Sequence, residues 1–124
     1  MPQYRIVFDD VIKKQLKKAI KNKHIAKILS DLFDRIEEKG PNAGELLDSK
    51  LSLYEIKIMH PPIRLYYKYN ALTNELTIFQ YEMKTSQEKQ QNLINKLKNK
   101  ILRMLNSYIF SSIFFAFSNV LFCF

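Results

Sequence analysis

The chain has 124 residues, room for one domain with a modest core. Twenty Lys and Arg against twelve Asp and Glu give a formal charge of +8, a balance that attracts nucleic acid, an anionic membrane surface or an acidic partner. The single cysteine, Cys123, excludes an internal disulfide and, with only two histidines, a Cys/His metal cluster; two glycines, Gly40 and Gly44, exclude a glycine-rich phosphate loop.

Met1-Pro-Gln-Tyr-Arg5 enters a strand pattern directly and lacks the apolar stretch of a secretory signal. Tyr4-Arg-Ile-Val-Phe8 alternates and is rich in β-formers, which predicts a first strand. Asp9-Asp10 offers an N-cap for a helix whose apolar positions are Ile12, Leu16, Ala19 and Ile20. Lys13, Lys14, Lys17, Lys18, Lys21 and Lys23 lie between and beyond them, either a solvated face or a ridge that meets RNA. Ile25, Ile28, Leu29, Leu32, Phe33 and Ile36 form the stripe of a second helix, whose end is marked by Gly40-Pro41. Residues 42–50 read as loop. His24, at the start of the second helix, reads as structural, and Asp9 and Asp10 as caps rather than a catalytic pair.

Three further strands follow: Leu53–Met59, Ile63–Tyr69 and Glu75–Met83. His60-Pro61-Pro62 and Asn70 to Asn74 join them and are short enough for antiparallel hairpins. Thr85 with Glu88 fits a capping box opening a third helix, with Leu93, Ile94, Leu97 and Ile101 as its buried stripe. The expectation is an α+β fold: a small antiparallel sheet, two N-terminal helices and a C-terminal helix in the order β-α-α-β-β-β-α. An apolar tail follows. Residues 1–103 make the domain. Met104 to Phe124 carries no charge and six phenylalanines, a length that can span a hydrocarbon core behind the basic flank of Lys96, Lys98, Lys100 and Arg103. Four serines and two asparagines dilute it, so a packing helix or a non-functional extension competes with a membrane anchor.

Alternation puts Lys57 on one face with Glu55, and Arg64 on one face with Tyr66 and Lys68. If those faces register, one side of the sheet gathers cations and tyrosines, a surface that grips phosphates and stacks on bases.

Leu53-Tyr54-Glu55-Ile56-Lys57, Ile63-Arg64-Leu65-Tyr66-Tyr67, and Ile78-Phe79-Gln80-Tyr81 with Lys84-Thr85 together resemble the RelE/ParE superfamily of type II toxins, and within it the HigB-like, phage-derived branch. The resemblance covers about residues 4–102. Lys57 stands where that pattern commonly has arginine, Met83 replaces the first lysine of its usual pair, and Met104–Phe124 has no counterpart. The resemblance implies a ribosome-dependent messenger-RNA endonuclease of the cytoplasm, needing no metal or cofactor. Its partners would be the ribosome, the message and a cognate antitoxin that covers or distorts the cationic face. A ParE-like inhibitor of DNA gyrase and an inactive remnant are the alternatives.

The implied reaction is attack of a ribose 2′-hydroxyl on its own 3′-phosphate. It requires a proton acceptor, cations over the developing charge and a donor to the leaving 5′-oxygen. Arg64 is the first candidate for that charge because guanidinium matches phosphate in a bidentate way. Lys57 and Lys84 follow. Tyr81, like Tyr66, can donate a proton or stack, and His60 titrates in a useful range. Lys68, Tyr66, Lys13, Lys17 and Gln87 are the candidate RNA contacts. Other roles compete. Lys57 can pair with Glu55 or Glu82, and Arg64 with Glu82. Tyr67 and Tyr69 fall opposite Arg64 and read as core, His60 fits an exposed turn, and Gln87 and Gln90 fit a helix surface.

Overall fold

The computed structural model describes residues 4–83 and 86–122, with the side chains of the last helix described as far as Leu105. The first strand, β1 (Arg5–Phe8), runs into Asp9, whose carboxylate accepts a hydrogen bond from the Val11 amide at 3.2 Å and caps α1 (Asp10–Ala19). Ile12 and Ala19 are the buried residues of α1. Ile20, expected on the same stripe, is 72% exposed; it lies past the last helical residue, as the C-cap. α2 (Lys23–Lys39) is capped by Asn22, which accepts from the amides of His24 and Ile25. It ends at Gly40, where φ is +58°, a value that favours glycine. A Cβ there would also meet the Tyr4 ring at 2.4 Å.

The predicted 42–50 loop is not wholly irregular. A 3-10 turn (Gly40–Ala43) leads into a short strand, β2 (Glu45–Asp48). Four residues of Glu-Leu-Leu-Asp carry no β-branched side chain and no alternation, so nothing local announces them as a strand. They become one by pairing with β3 (Leu53–Met59). Next come β4 (Pro62–Asn70) and β5 (Glu75–Met83), joined by hairpins as expected. The sheet order is β1-β5-β4-β3-β2. β2 to β5 are antiparallel neighbours, but β1 lies parallel to β5, so the α+β fold is built on a mixed five-stranded sheet.

α1 and α2 cover one face of this sheet. Ile12, Leu29, Leu32 and Ile36 from the helices share a core with Ile56, Ile63, Leu65, Tyr67, Leu76 and Ile78 from the strands. Full burial of each such aliphatic side chain is worth roughly 1.5–3 kcal/mol. Phe8 meets Phe33 edge-on with centroids 5.2 Å apart, and Tyr54 stacks on Tyr67 at 5.4 Å.

These elements form one compact unit, Met1–Ser86, and Gln87–Phe124 forms a second. The second unit is a single helix, α3 (Gln87–Phe122), with Ile94, Leu97 and Ile101 as its buried positions and a Gln91–Asn95 side-chain bond one turn apart. Its backbone continues through Arg103, where the tail was expected to begin. The capping role expected of Thr85 lies outside the described residues, as do the side chains of residues 106–124. Among the described residues no helix is long and apolar enough to cross a membrane.

β1 is too short to shield the whole of β5: it pairs with Glu75 to Ile78 only. Beyond that point the Gln15 side chain takes the place of a strand. Its amide nitrogen donates to the Tyr81 carbonyl and its oxygen accepts from the Tyr81 amide, both at 2.9 Å. Gln15→Ala deletes both bonds and leaves two part-buried backbone groups to water. It is expected to lower stability by about 1–3 kcal/mol. A urea midpoint unchanged within error would show that water replaces the glutamine without loss.

Candidate functional site

The face of the sheet turned away from α1 and α2 is organised in cross-strand rows. Lys57 of β3 stands opposite Arg64 of β4, and Arg64 opposite Glu82 of β5. The next row is Glu55, Tyr66 and Gln80, and the one after it Leu53, Lys68 and Thr77. Lys57 and Arg64 therefore stand side by side on this face, the register that alternation within each strand leaves open. Lys57 is exposed, and the Arg64 side chain is 32% exposed.

Glutamates run through the cations. Arg64 Nη1 donates to Glu55 Oε2 at 3.4 Å, and Glu55 is only 5% exposed. A buried carboxylate next to a guanidinium is an orienting pair more than a stabilising one, since desolvation consumes most of the attraction. Tyr66, fully buried, donates its hydroxyl to Glu82 Oε1. Burial first, and then the hydrogen bond and charge of Glu82, push the Tyr66 phenol far above its ordinary value, so it keeps its proton. Burial also lowers the Lys68 ammonium from its ordinary value. Arg64 does not take Glu82 as its hydrogen-bond partner, although the register sets the two opposite each other.

A β-bulge decides which residues of β5 belong to this face. Between Tyr66 and Tyr67 the register of β5 shifts, so that Tyr67 pairs with Ile78, Tyr66 with Gln80, and Phe79 is the extra residue. Regular alternation from Ile78 would have placed Tyr81 beside Arg64. The extra residue reverses the parity. Tyr81 falls opposite Leu65 and packs on the helix-side core, while Glu82 falls opposite Arg64. Tyr81 and Arg64 thus lie on opposite faces, contrary to the sequence expectation. Tyr66 lies on the expected face, but its ring is buried and offers no stacking surface.

The remaining candidates are dispersed. His60 is exposed in the β3–β4 turn, at the end of the strand that carries Lys57. Lys68 sits on the same face two residues along β4 from Tyr66. Lys13 and Lys17 are exposed on α1, the helix side of the unit. Gln87 is the exposed first residue of α3. Lys84 lies outside the described residues. Seven lysines (13, 14, 17, 18, 21, 23 and 27) and no carboxylate occupy residues 13–27, so this stretch supplies seven of the eight net positive charges. Glu82 and Glu55, read from sequence only as ion-pair partners, are the site residues that sequence reasoning undervalued. Among the described residues no group of three or more His, Cys, Asp or Glu is placed to hold a metal ion.

No family model and no curated protein matches the chain. Solved structures do. The toxin–antitoxin complex RelBE2 from Mycobacterium tuberculosis matches at 16% identity and TM-score 0.54, covering 68% of this chain and 100% of that one. The isolated E. coli RelE toxin matches at 17% and 0.54, covering 76% and 98%. The intact E. coli RelBE toxin–antitoxin complex matches at 18% and 0.52, covering 67% and 99%. At these identities the likeness establishes the fold: the chain has a RelE-like α+β architecture.

Tyr67 is buried like Tyr66, and desolvation raises its phenol too. Below the unfolded value of 10.0 both phenols are protonated in either state. Above it the unfolded chain loses those protons and the folded chain does not, so stability falls as pH rises past that value. Tyr67→Phe is expected to flatten this alkaline limb in urea titrations followed from about pH 8 to 11. An alkaline slope as steep as wild type would show that Tyr67 ionises in the folded chain.

Proposed function

We propose that this chain is the toxin of a type II toxin–antitoxin system, of the RelE superfamily and its HigB-like branch. We assign it the cleavage of messenger RNA in the ribosomal decoding site. The observation that carries this reading is the direct cross-strand pairing of Lys57 with Arg64 on one face of a RelE-like sheet. Two cations one strand spacing apart engage one phosphodiester, the Arg64 fork on its non-bridging oxygens and Lys57 at a bridging oxygen, and the charge that grows there during attack is what such a pair stabilises most. Lys84, His60 and Lys68 are assigned to the same surface, and Lys13, Lys17 and Gln87 to contacts with RNA outside it. Lysines alone, without arginine or aromatic neighbours, grip phosphate without reading sequence, which suits docking on ribosomal RNA.

The chain acts in the cytoplasm, where its substrate is. Its protein partner is a cognate antitoxin, as for the RelBE complexes that share the fold. An acidic or amphipathic antitoxin segment complements a +8 chain. We keep residues 1–103 as the toxin domain and 104–124 as a separate apolar extension. One observation favours a second reading. Glu55 and Glu82 stand among Lys57, Arg64 and Lys68, so the face itself is nearly charge-balanced. That suits a ParE-like protein that binds DNA gyrase and cuts nothing, or an inactive remnant.

Expression of the full chain in bacteria is expected to arrest growth and cleave translated messages. Lys57→Ala is expected to slow cleavage by about a hundredfold while leaving the fold intact, because Lys57 is exposed. Arg64→Lys keeps a cation beside the buried Glu55 and is expected to be similarly slow, since an ammonium lacks the fork. Arrest at full strength in both variants rejects the assignment. Intact messages accompanied by DNA damage point to gyrase.

A further inference from the structure

We propose that Glu82 is the general base of this site and that Tyr66 is the residue that positions it. The assignment rests on the ribonuclease reading above and names the group that takes the proton.

Three observations converge. The first is order. Lys57, Arg64 and Glu82 occupy one row on three neighbouring strands, with Arg64 in the middle. Strand spacing sets the outer two about 10 Å apart at the backbone. In-line displacement at phosphorus places nucleophile and leaving group on opposite sides of the phosphorus atom, with the developing charge on the oxygens between them. A row that reads acid, cation, base matches that demand in sequence and in spacing.

The second is orientation. The Tyr66 hydroxyl holds Glu82 Oε1, which fixes the carboxylate on a β-strand rather than on a loop. Tyr66 keeps its own proton, held by burial and by the neighbouring carboxylates, so it does not compete for the one being transferred. The groups facing Glu82 within its unit are Arg64 and Tyr66 on β4, with Lys57 and Glu55 one strand further on. The third is exclusion. Glu55 is the other carboxylate of the face, but it is 5% exposed and lies against Arg64. Glu82 is only part-buried, so one carboxylate is spent on orienting the guanidinium and the other reaches substrate.

The step balances without a co-reactant. The 2′-hydroxyl gives its proton to the Glu82 carboxylate as the 2′-oxygen bonds to phosphorus. The bond from phosphorus to the 5′-oxygen breaks, and that oxygen takes a proton from the Lys57 ammonium. The products are a 2′,3′-cyclic phosphate and a free 5′-hydroxyl. Arg64 neutralises the charge on the non-bridging oxygens throughout.

The test uses the purified full chain on programmed ribosomes, with single-turnover rates followed against pH. Wild type is expected to show an acid limb from one deprotonation. Glu82→Gln keeps an acceptor for Tyr66 but cannot take a proton, and is expected to lose about a hundredfold or more in rate together with the acid limb. Glu82→Ala is expected to regain rate on addition of formate, which a purely structural carboxylate would not show. Tyr66→Phe is expected to keep the limb, displaced, at a rate reduced about tenfold. Glu82→Gln within threefold of wild type, or with the acid limb in place, overturns the assignment while the ribonuclease reading stands. Should Glu82→Gln fail to fold, Tyr66→Phe decides: a pH profile superimposable on wild type overturns it. A wild-type chain that leaves RNA intact on ribosomes overturns the ribonuclease reading, and this assignment with it.

Discussion

One extra residue in β5 governs what the face of this sheet turned away from α1 and α2 can do. Side chains on a strand alternate with a period of two, so an inserted residue exchanges every later side chain between the core and the far face. The shift at Phe79 is that insertion. Leu76 and Ile78, before it, join the helix-side core, and Tyr81, after it, joins the same core although its parity is opposite. Glu82 is thereby delivered to the row of Lys57 and Arg64. Without the bulge a charged carboxylate would point into a packed apolar layer, at a cost of several kcal/mol, and a tyrosine would take its place beside the arginine.

The charges of the molecule divide into two populations with different uses. The lysines of residues 13–27 carry most of the net charge and belong to the helix side of the first unit. They act at long range and weaken with salt. The sheet face holds fewer cations, interleaved with two carboxylates: Arg64 bonds to Glu55 and stands opposite Glu82. Such a surface attracts little from a distance. It holds groups in fixed directions instead: Arg64 by Glu55, Glu82 by Tyr66. Attraction and chemistry are thus assigned to separate places, and a net charge summed over the chain does not reveal that division.

Helices were legible in the sequence because their signals are local. Asp9 caps α1, Ile12 and Ala19 mark its inner stripe, and Leu29, Leu32 and Ile36 mark that of α2. β3, β4 and β5 were legible because each is long enough for β-formers to accumulate between turns. β2 was not, because four residues acquire strand geometry only from a neighbour. Gln15 was equally silent. A glutamine on an amphipathic helix reads as solvated, and its role exists only because β1 stops before β5 does.

The sequence by itself determined the α+β class, the helices, the three longer strands and their apolar stripes, and it put Lys57 and Arg64 each on a definite face of its own strand, since each follows from short-range periodicity. Tertiary structure decided that β1 lies parallel to β5, that Tyr66 is buried, and that Glu82 rather than Tyr81 stands beside Arg64. The physical reason is common to all three. Parity along a strand is counted from its neighbours' hydrogen bonds, and those bonds are formed with residues far away in the chain.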